Sequence, residues 1–269
     1  MTHDTNIKKV ISVSMNRSGS TFFVTTLSTL PNIVGDYEIQ VVNDIPTPFH
    51  RSLCDQSVEE IFSSIVGNQK NINVCVSKIV IAPQHEFSFS RALPLLLAEL
   101  QKMSIVVVII RPWYEQFYSK YLGGGHLTSD ANRLPANLKN FYAEKDFFEK
   151  RFEMHKRNLD AEHLIQDLKK REEISLNLLD PISRLDNSIL LEYENLSRFL
   201  KSFALENTEL SHCEIENYVN NAPTKKLYSP LDENVFLNFS EIKKIRDFWN
   251  KKYLENMSFL KDNAKAVFE

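Results

Sequence analysis

The chain has 269 residues, 43% hydrophobic and 25% charged, with a formal net charge of −3; this suffices for one large domain or two small ones with a full core and lacks the basic surface of a general nucleic-acid binder. Its three cysteines, Cys54, Cys75 and Cys213, are widely spaced, which argues against a disulfide framework or zinc site and fits a reducing compartment. The polar start MTHDTNIKKV has no signal-like segment and no apolar run reaches the roughly 18 residues of a membrane helix, so the expectation is a cytoplasmic protein without stable membrane insertion.

Four short apolar runs read as strands: KVISVSM (9–15), NIVGDYEI (32–39), INVCVSKIVI (72–81) and SIVVVIIR (104–111). The first, third and fourth are nearly continuous in Val and Ile, as in parallel strands covered on both faces. Helical segments fall between them at 22–30, about 56–66 and 90–102. The alternation predicts an α/β fold with a central parallel sheet flanked by helices. HLTSDANRLPANL (126–138), after GGG at 123–125, is expected to be a mobile loop. Residues 137–173 carry apolar residues at helical spacing among many charges, the pattern of one long amphipathic helix. SILLEYENL (188–196) supplies a further strand, with helices expected near 197–205, 213–220 and 240–255. No repeat, low-complexity tract or linker interrupts the chain. It reads as one domain over 1–269, an α/β core over 1–125 and a mostly helical half over 126–269 with one more core strand near 188–194.

Between the first strand and its helix lies NRSGST (16–21). A turn joining a buried strand to a helix N-terminus is a ready anion site, because its amides point outward and the helix dipole favours negative charge. Gly19 permits close backbone approach, Ser18, Ser20 and Thr21 add hydroxyl donors, and Arg17 adds a fixed charge with a forked geometry. The alternative is an ordinary helix start with a Ser/Thr cap and a glycine turn. The segment lacks the second glycine and the lysine of G-x-x-x-x-G-K-[ST], and it is not G-x-G-x-x-G, so a magnesium-nucleotide kinase or a dinucleotide enzyme is disfavoured. The fourth strand runs into RPWYEQFYSKY. This puts Arg111 at the strand's carboxyl end, Pro112 where a helix can start, and Ser119 about two turns into that helix. An arginine and a hydroxyl converging there can grip a second phosphate; taken alone, Arg111 suits a surface salt bridge equally well.

RSGST after the first strand, paired with R-P-x(6)-S after a later one, resembles the sulfotransferases that use 3′-phosphoadenosine 5′-phosphosulfate, nearest to the glycan, protein-tyrosine and bacterial types. The resemblance implies a P-loop NTPase-like fold with a nucleotide-binding core over 1–125. It implies that Arg17, Ser18, Gly19, Ser20 and Thr21 hold the 5′-phosphosulfate, and that Arg111 and Ser119 hold the 3′-phosphate. ILLEYENL resembles the family's RYEDL strand, with Glu192 where an arginine is common. On the leaving-group side it points to Arg17 and then Lys78, a lysine inside an apolar strand that needs a partner or an anion unless it snorkels to solvent. For the base it points to Glu38, about twenty residues after the loop, with Asp36 one register step away and His85 a minor candidate. Lys225 and Lys226 fall where the family has a late basic loop touching the nucleotide; a solvated lysine pair is the simpler reading. The family chemistry needs no metal, and the expected acceptor is a hydroxyl on a glycan, a glycolipid or another small molecule. The competing expectations are a P-loop-like small-molecule kinase and a non-catalytic nucleotide-binding protein of the same fold.

Overall fold

The computed structural model describes residues 7–36, 38–41, 51–53, 55–121, 126–128, 161–221, 224–226 and 239–269, with side chains except at 40, 51, 52, 84, 118–121, 126–128, 224–226 and 239–242. In chain order the elements are β1 (Lys8–Met15), α1 (Ser20–Leu27), β2 (Ile33–Gly35), β3 (Ile39–Gln40), β4 (Arg51–Ser52), α2 (Val58–Val66), β5 (Val74–Ile81), α3 (Glu86–Leu100), β6 (Ile105–Ile110), α4 (Trp113–Tyr121) and β7 (His126–Thr128). The second half contributes α5 (Ala161–Ile174), a π-helical segment at Ser175–Leu179, α6 (Asp180–Ser183), β8 (Ser188–Glu192), α7 (Leu196–Asn207), α8 (His212–Asn220), β9 (Thr224–Lys226), α9 (Phe239–Asn263) and β10 (Val267–Phe268).

Six strands form one sheet in the order β10-β8-β6-β1-β5-β2, and every pairing in it is parallel. The fold is therefore α/β with a central parallel sheet flanked by helices. β1 lies at the middle and pairs along its length with β5, Ser12 opposite Lys78 and Met15 opposite Ile81. Its central residues are buried on both faces, which is why its sequence runs apolar rather than alternating. Alternate residues feed two cores. On one face Ile11, Val13, Cys75, Ile79, Val106 and Val108 pack under α2, α3, α4, α5 and α9. On the other, Val10, Val74, Val76, Val107 and Ile109 pack under α1, α7 and α8. The first core mixes both halves of the chain: the Trp113 ring on α4 meets Trp249 and Tyr253 of α9 edge-on, at 6.1 and 5.6 Å.

Several boundaries differ from the expectation. The strand expected over 32–39 leaves the sheet after Gly35. A side chain there would collide with Ser28 Oγ at 2.1 Å and Val76 Cγ2 at 2.6 Å; Ile39–Gln40 pairs instead with Arg51–Ser52. The strand expected over 188–196 stops at Glu192, and residues 193–195 turn into α7. The helix expected over 90–102 starts at Glu86 and carries Pro94 inside it. Of the long helix expected over 137–173, Ala161–Ile174 is helical, and 137–160 lies outside the described residues. Within the expected loop 126–138, His126–Thr128 is a strand paired antiparallel with Thr224–Lys226; the rest is outside the described residues. Among the described residues no helix is long and apolar enough to cross a membrane.

Candidate functional site

The loop between β1 and α1 is shaped by two left-handed residues. Arg17 has φ 67° and Gly19 has φ 94°, so the chain doubles back before the helix. The first helical bond is Phe23 N–H to the Gly19 carbonyl at 3.0 Å. The amides before it therefore face out of the helix start, where they suit an anion. Ser18 Oγ is fully buried and has no hydrogen-bond partner among the described residues. Gly19 must be glycine for a second reason: a Cβ would lie 2.7 Å from Cε2 of Tyr193 and 2.8 Å from Cδ2 of Leu196. The loop thus rests directly on the turn that follows β8.

Two neighbours of β1 bring cations to this loop, Lys78 to Thr21 and Arg111 to the Arg17 carbonyl. Lys78 of β5 and Arg111, just past β6, both sit at positions whose parity faces α1 and α7. The Lys78 side chain is only 8% exposed, and its Nζ donates to Thr21 Oγ1 at 2.7 Å and pairs with Glu38 Oε2 at 3.5 Å. Burial pushes the Lys78 ammonium below its usual value, Glu38 partly offsets this, and the nearby Arg17 charge adds to the lowering. An anion placed here would relieve both strains at once. Arg111 donates Nη1 to the Arg17 carbonyl at 3.2 Å and Nε to Glu115 at 3.0 Å, and its guanidinium lies 4.4 Å from the centre of the Tyr193 ring. Arg17, Gly19, Thr21, Arg111, Glu115 and Tyr193 all line one cleft of about 600 Å³.

The structure thus gathers Arg17, Ser18, Gly19, Ser20, Thr21, Lys78, Glu38 and Arg111 at the carboxyl edge of the sheet. Glu38 is 25% exposed and reaches Lys78, whereas Asp36 extends the β2 ladder through its N–H to Val76 O at 3.1 Å. His85 closes the short turn Pro83–His85 beyond β5. Ser119 is the seventh residue of α4, two turns in as expected, but its side chain lies outside those described. Lys225 and Lys226 belong to β9, which runs beside α1; their side chains also lie outside those described. Among the described residues no group of three or more His, Cys, Asp or Glu is placed to hold a metal ion. The scan against protein-family models finds no match for this chain, and no curated protein matches it.

Two of the lining residues that were not anticipated touch Arg111. Glu115 sits one helical turn after Arg111, a spacing readable as an i,i+4 pair. Tyr193 follows β8 at the same sheet edge; the sequence places it in ILLEYENL, the stretch that resembles RYEDL, without giving it a role.

Proposed function

We propose that the chain is a sulfotransferase that moves a sulfonate group from 3′-phosphoadenosine 5′-phosphosulfate to an acceptor hydroxyl on a glycan, a glycolipid or another small molecule. The observation that carries this reading is the convergence of the Arg17–Thr21 loop, the Lys78–Glu38 pair and Arg111 on one face of the sheet's carboxyl edge. Gly19, Ser20 and Thr21 line the cleft beside Arg17 and Arg111, and amides at such a helix start suit an anion. A donor with phosphates at both ends also suits two cationic arms, Arg17 with Lys78 on one side and Arg111 on the other.

The co-substrate brings the sulfonate and a bisphosphate leaving group. Glu38 takes the acceptor's proton as the acceptor oxygen bonds to sulfur. Arg17, Lys78 and the loop amides meet the negative charge left on the phosphate oxygen as its bond to sulfur breaks. Lys78 also orients Glu38, with which it pairs at 3.5 Å. These roles use fixed charges and amides of the chain itself.

The test is transfer of labelled sulfonate to a panel of sugars, lipids and phenols, in EDTA. Glu38→Gln should lower kcat by about 10²–10⁴-fold, the usual cost of losing a general base, and leave affinity for adenosine 3′,5′-bisphosphate no weaker. Asp36→Asn should stay near wild type. Activity that EDTA abolishes and magnesium restores, with ATP as donor, would favour the kinase reading. Loss with Asp36→Asn alone would move the base to Asp36.

A further inference from the structure

Arg171 of α5 is completely buried, yet it comes from the half of the chain that contributes least to the cleft. Its Nε pairs with Asp167 Oδ2 at 2.5 Å, and its Nη1 donates to Asn16 Oδ1 at 3.1 Å and to Gln116 Oε1 at 2.6 Å. Gln116 is equally buried and donates Nε2 to the Arg111 carbonyl at 2.7 Å. Arg111 in turn donates to the Arg17 carbonyl, and Arg17 is bonded to Asn16. The contacts close a ring: Asn16, Arg17, Arg111, Gln116, Arg171 and back to Asn16. Asn16 is itself fixed to the sheet through its N–H to Ile81 O at 3.1 Å.

A buried ion pair is a poor way to add stability, because apolar residues of the same size do as well or better. A ring of directional bonds does something apolar packing does not: it sets the spacing between two loops. Here those loops carry Arg17 and Arg111, the two arginines that face the cleft. We infer that Gln116 and Arg171 are positioning residues that hold the two cationic arms of the cleft at a fixed separation. This rests on the nucleotide reading of the cleft for its ligand, but the positioning itself is a property of the free chain. Gln116 is the joint that both arms depend on. Its carbonyl oxygen accepts from Arg171, and its amide nitrogen donates to the backbone of Arg111.

Gln116→Glu in the full chain separates positioning from packing. The new carboxylate still accepts from Arg171 and pairs with it, which offsets part of the cost of burying its charge, so the thermal midpoint should fall less than in Gln116→Met. It has no N–H for the Arg111 carbonyl and repels it. Affinity for adenosine 3′,5′-bisphosphate should therefore fall about tenfold, the worth of one lost hydrogen bond with the strain around it. Gln116→Met, which keeps the volume and loses both bonds, should weaken binding at least as much. Hydrogen exchange without any ligand gives a second readout. The amides of residues 17–22 should exchange several-fold faster in Gln116→Glu, while those of β5 and β6 stay unchanged. Binding within twofold of wild type, or unchanged loop exchange, overturns the inference, as does exchange that speeds up equally in β5 and β6, the sign of general destabilisation. If wild type does not bind the bisphosphate, the nucleotide reading fails, and the loop exchange alone decides the positioning role.

Discussion

Replacing Gly19 by alanine probes the contact on which the cleft is built. Two costs follow from the geometry. The residue sits at φ 94°, a left-handed conformation that costs an L-residue about 1–2 kcal/mol. The added Cβ would also lie 2.7 and 2.8 Å from Tyr193 ring carbons and 2.8 Å from Leu196 Cδ2, and overpacking of this kind costs roughly 1–3 kcal/mol. The sum is about 2–5 kcal/mol, a large share of the ~5–15 kcal/mol that holds a domain folded. The strain would not stay local. The Tyr193 ring carries the Arg111 guanidinium on its face, so a ring pushed aside moves Arg111 as well. Urea denaturation of wild type and Gly19→Ala reads the stability term, and calorimetry with adenosine 3′,5′-bisphosphate reads the second. In the double variant with Tyr193→Ala, the Tyr193 share of the steric part should be recovered as a favourable coupling of up to about 1–3 kcal/mol, while the Leu196 contact and the backbone part remain. A loss below about 1 kcal/mol with unchanged affinity would refute the idea that the loop rests on Tyr193.

Three further outcomes follow from the same cleft. Arg111→Ala should weaken bisphosphate binding by about 1.5–3 kcal/mol, roughly tenfold to 150-fold; equal affinity in calorimetry would remove Arg111 from the site. Glu115→Gln should strengthen binding, by at most about fivefold, because its carboxylate competes with the ligand for Arg111 but is 51% exposed and screened; weaker binding would mean that the pair orients Arg111 for the ligand. Lys78 is held below its usual 10.5 chiefly by burial, so the folded chain releases this proton at a lower pH than the unfolded chain does. Between the lowered value and 10.5 the unfolded state binds more protons, and stability from this residue rises with pH. Urea melts stepped through the alkaline range up to the usual lysine value of 10.5 should show that rise in wild type and lose it in Lys78→Met, and identical slopes would contradict the burial of a titrating ammonium.

The sequence carried the sheet where the strands are long and covered on both faces. Ile and Val at 10–13, 74–81 and 105–110 leave no other reading, and the parallel order follows from helices between them. It could not carry Val267–Phe268, two residues whose strand character comes from the neighbouring β8 edge. The break after Gly35 was equally hidden, because it depends on how closely Ser28 and Val76 approach. Around the cleft, Arg17 and Arg111 were legible since each is a cation just past an apolar strand, and Lys78 since it is a cation inside one. Tyr193 was not, because its role is contact with a glycine far away in the chain. Arg171 looked like one more charge on an amphipathic helix. Asp167 four residues earlier is readable as a surface pair, and only Asn16 and Gln116, brought in by other elements, make it a buried one.

The most direct measurement is titration of the wild-type chain with adenosine 3′,5′-bisphosphate in EDTA, set beside ATP with magnesium, by calorimetry and thermal shift. Saturable one-to-one binding of the bisphosphate without metal is expected. At 100 times Kd the bound chain should be stabilised by about 2.7 kcal/mol, with ATP and magnesium binding far more weakly. No binding of the bisphosphate, or tighter binding of magnesium-ATP, would contradict the sulfotransferase reading.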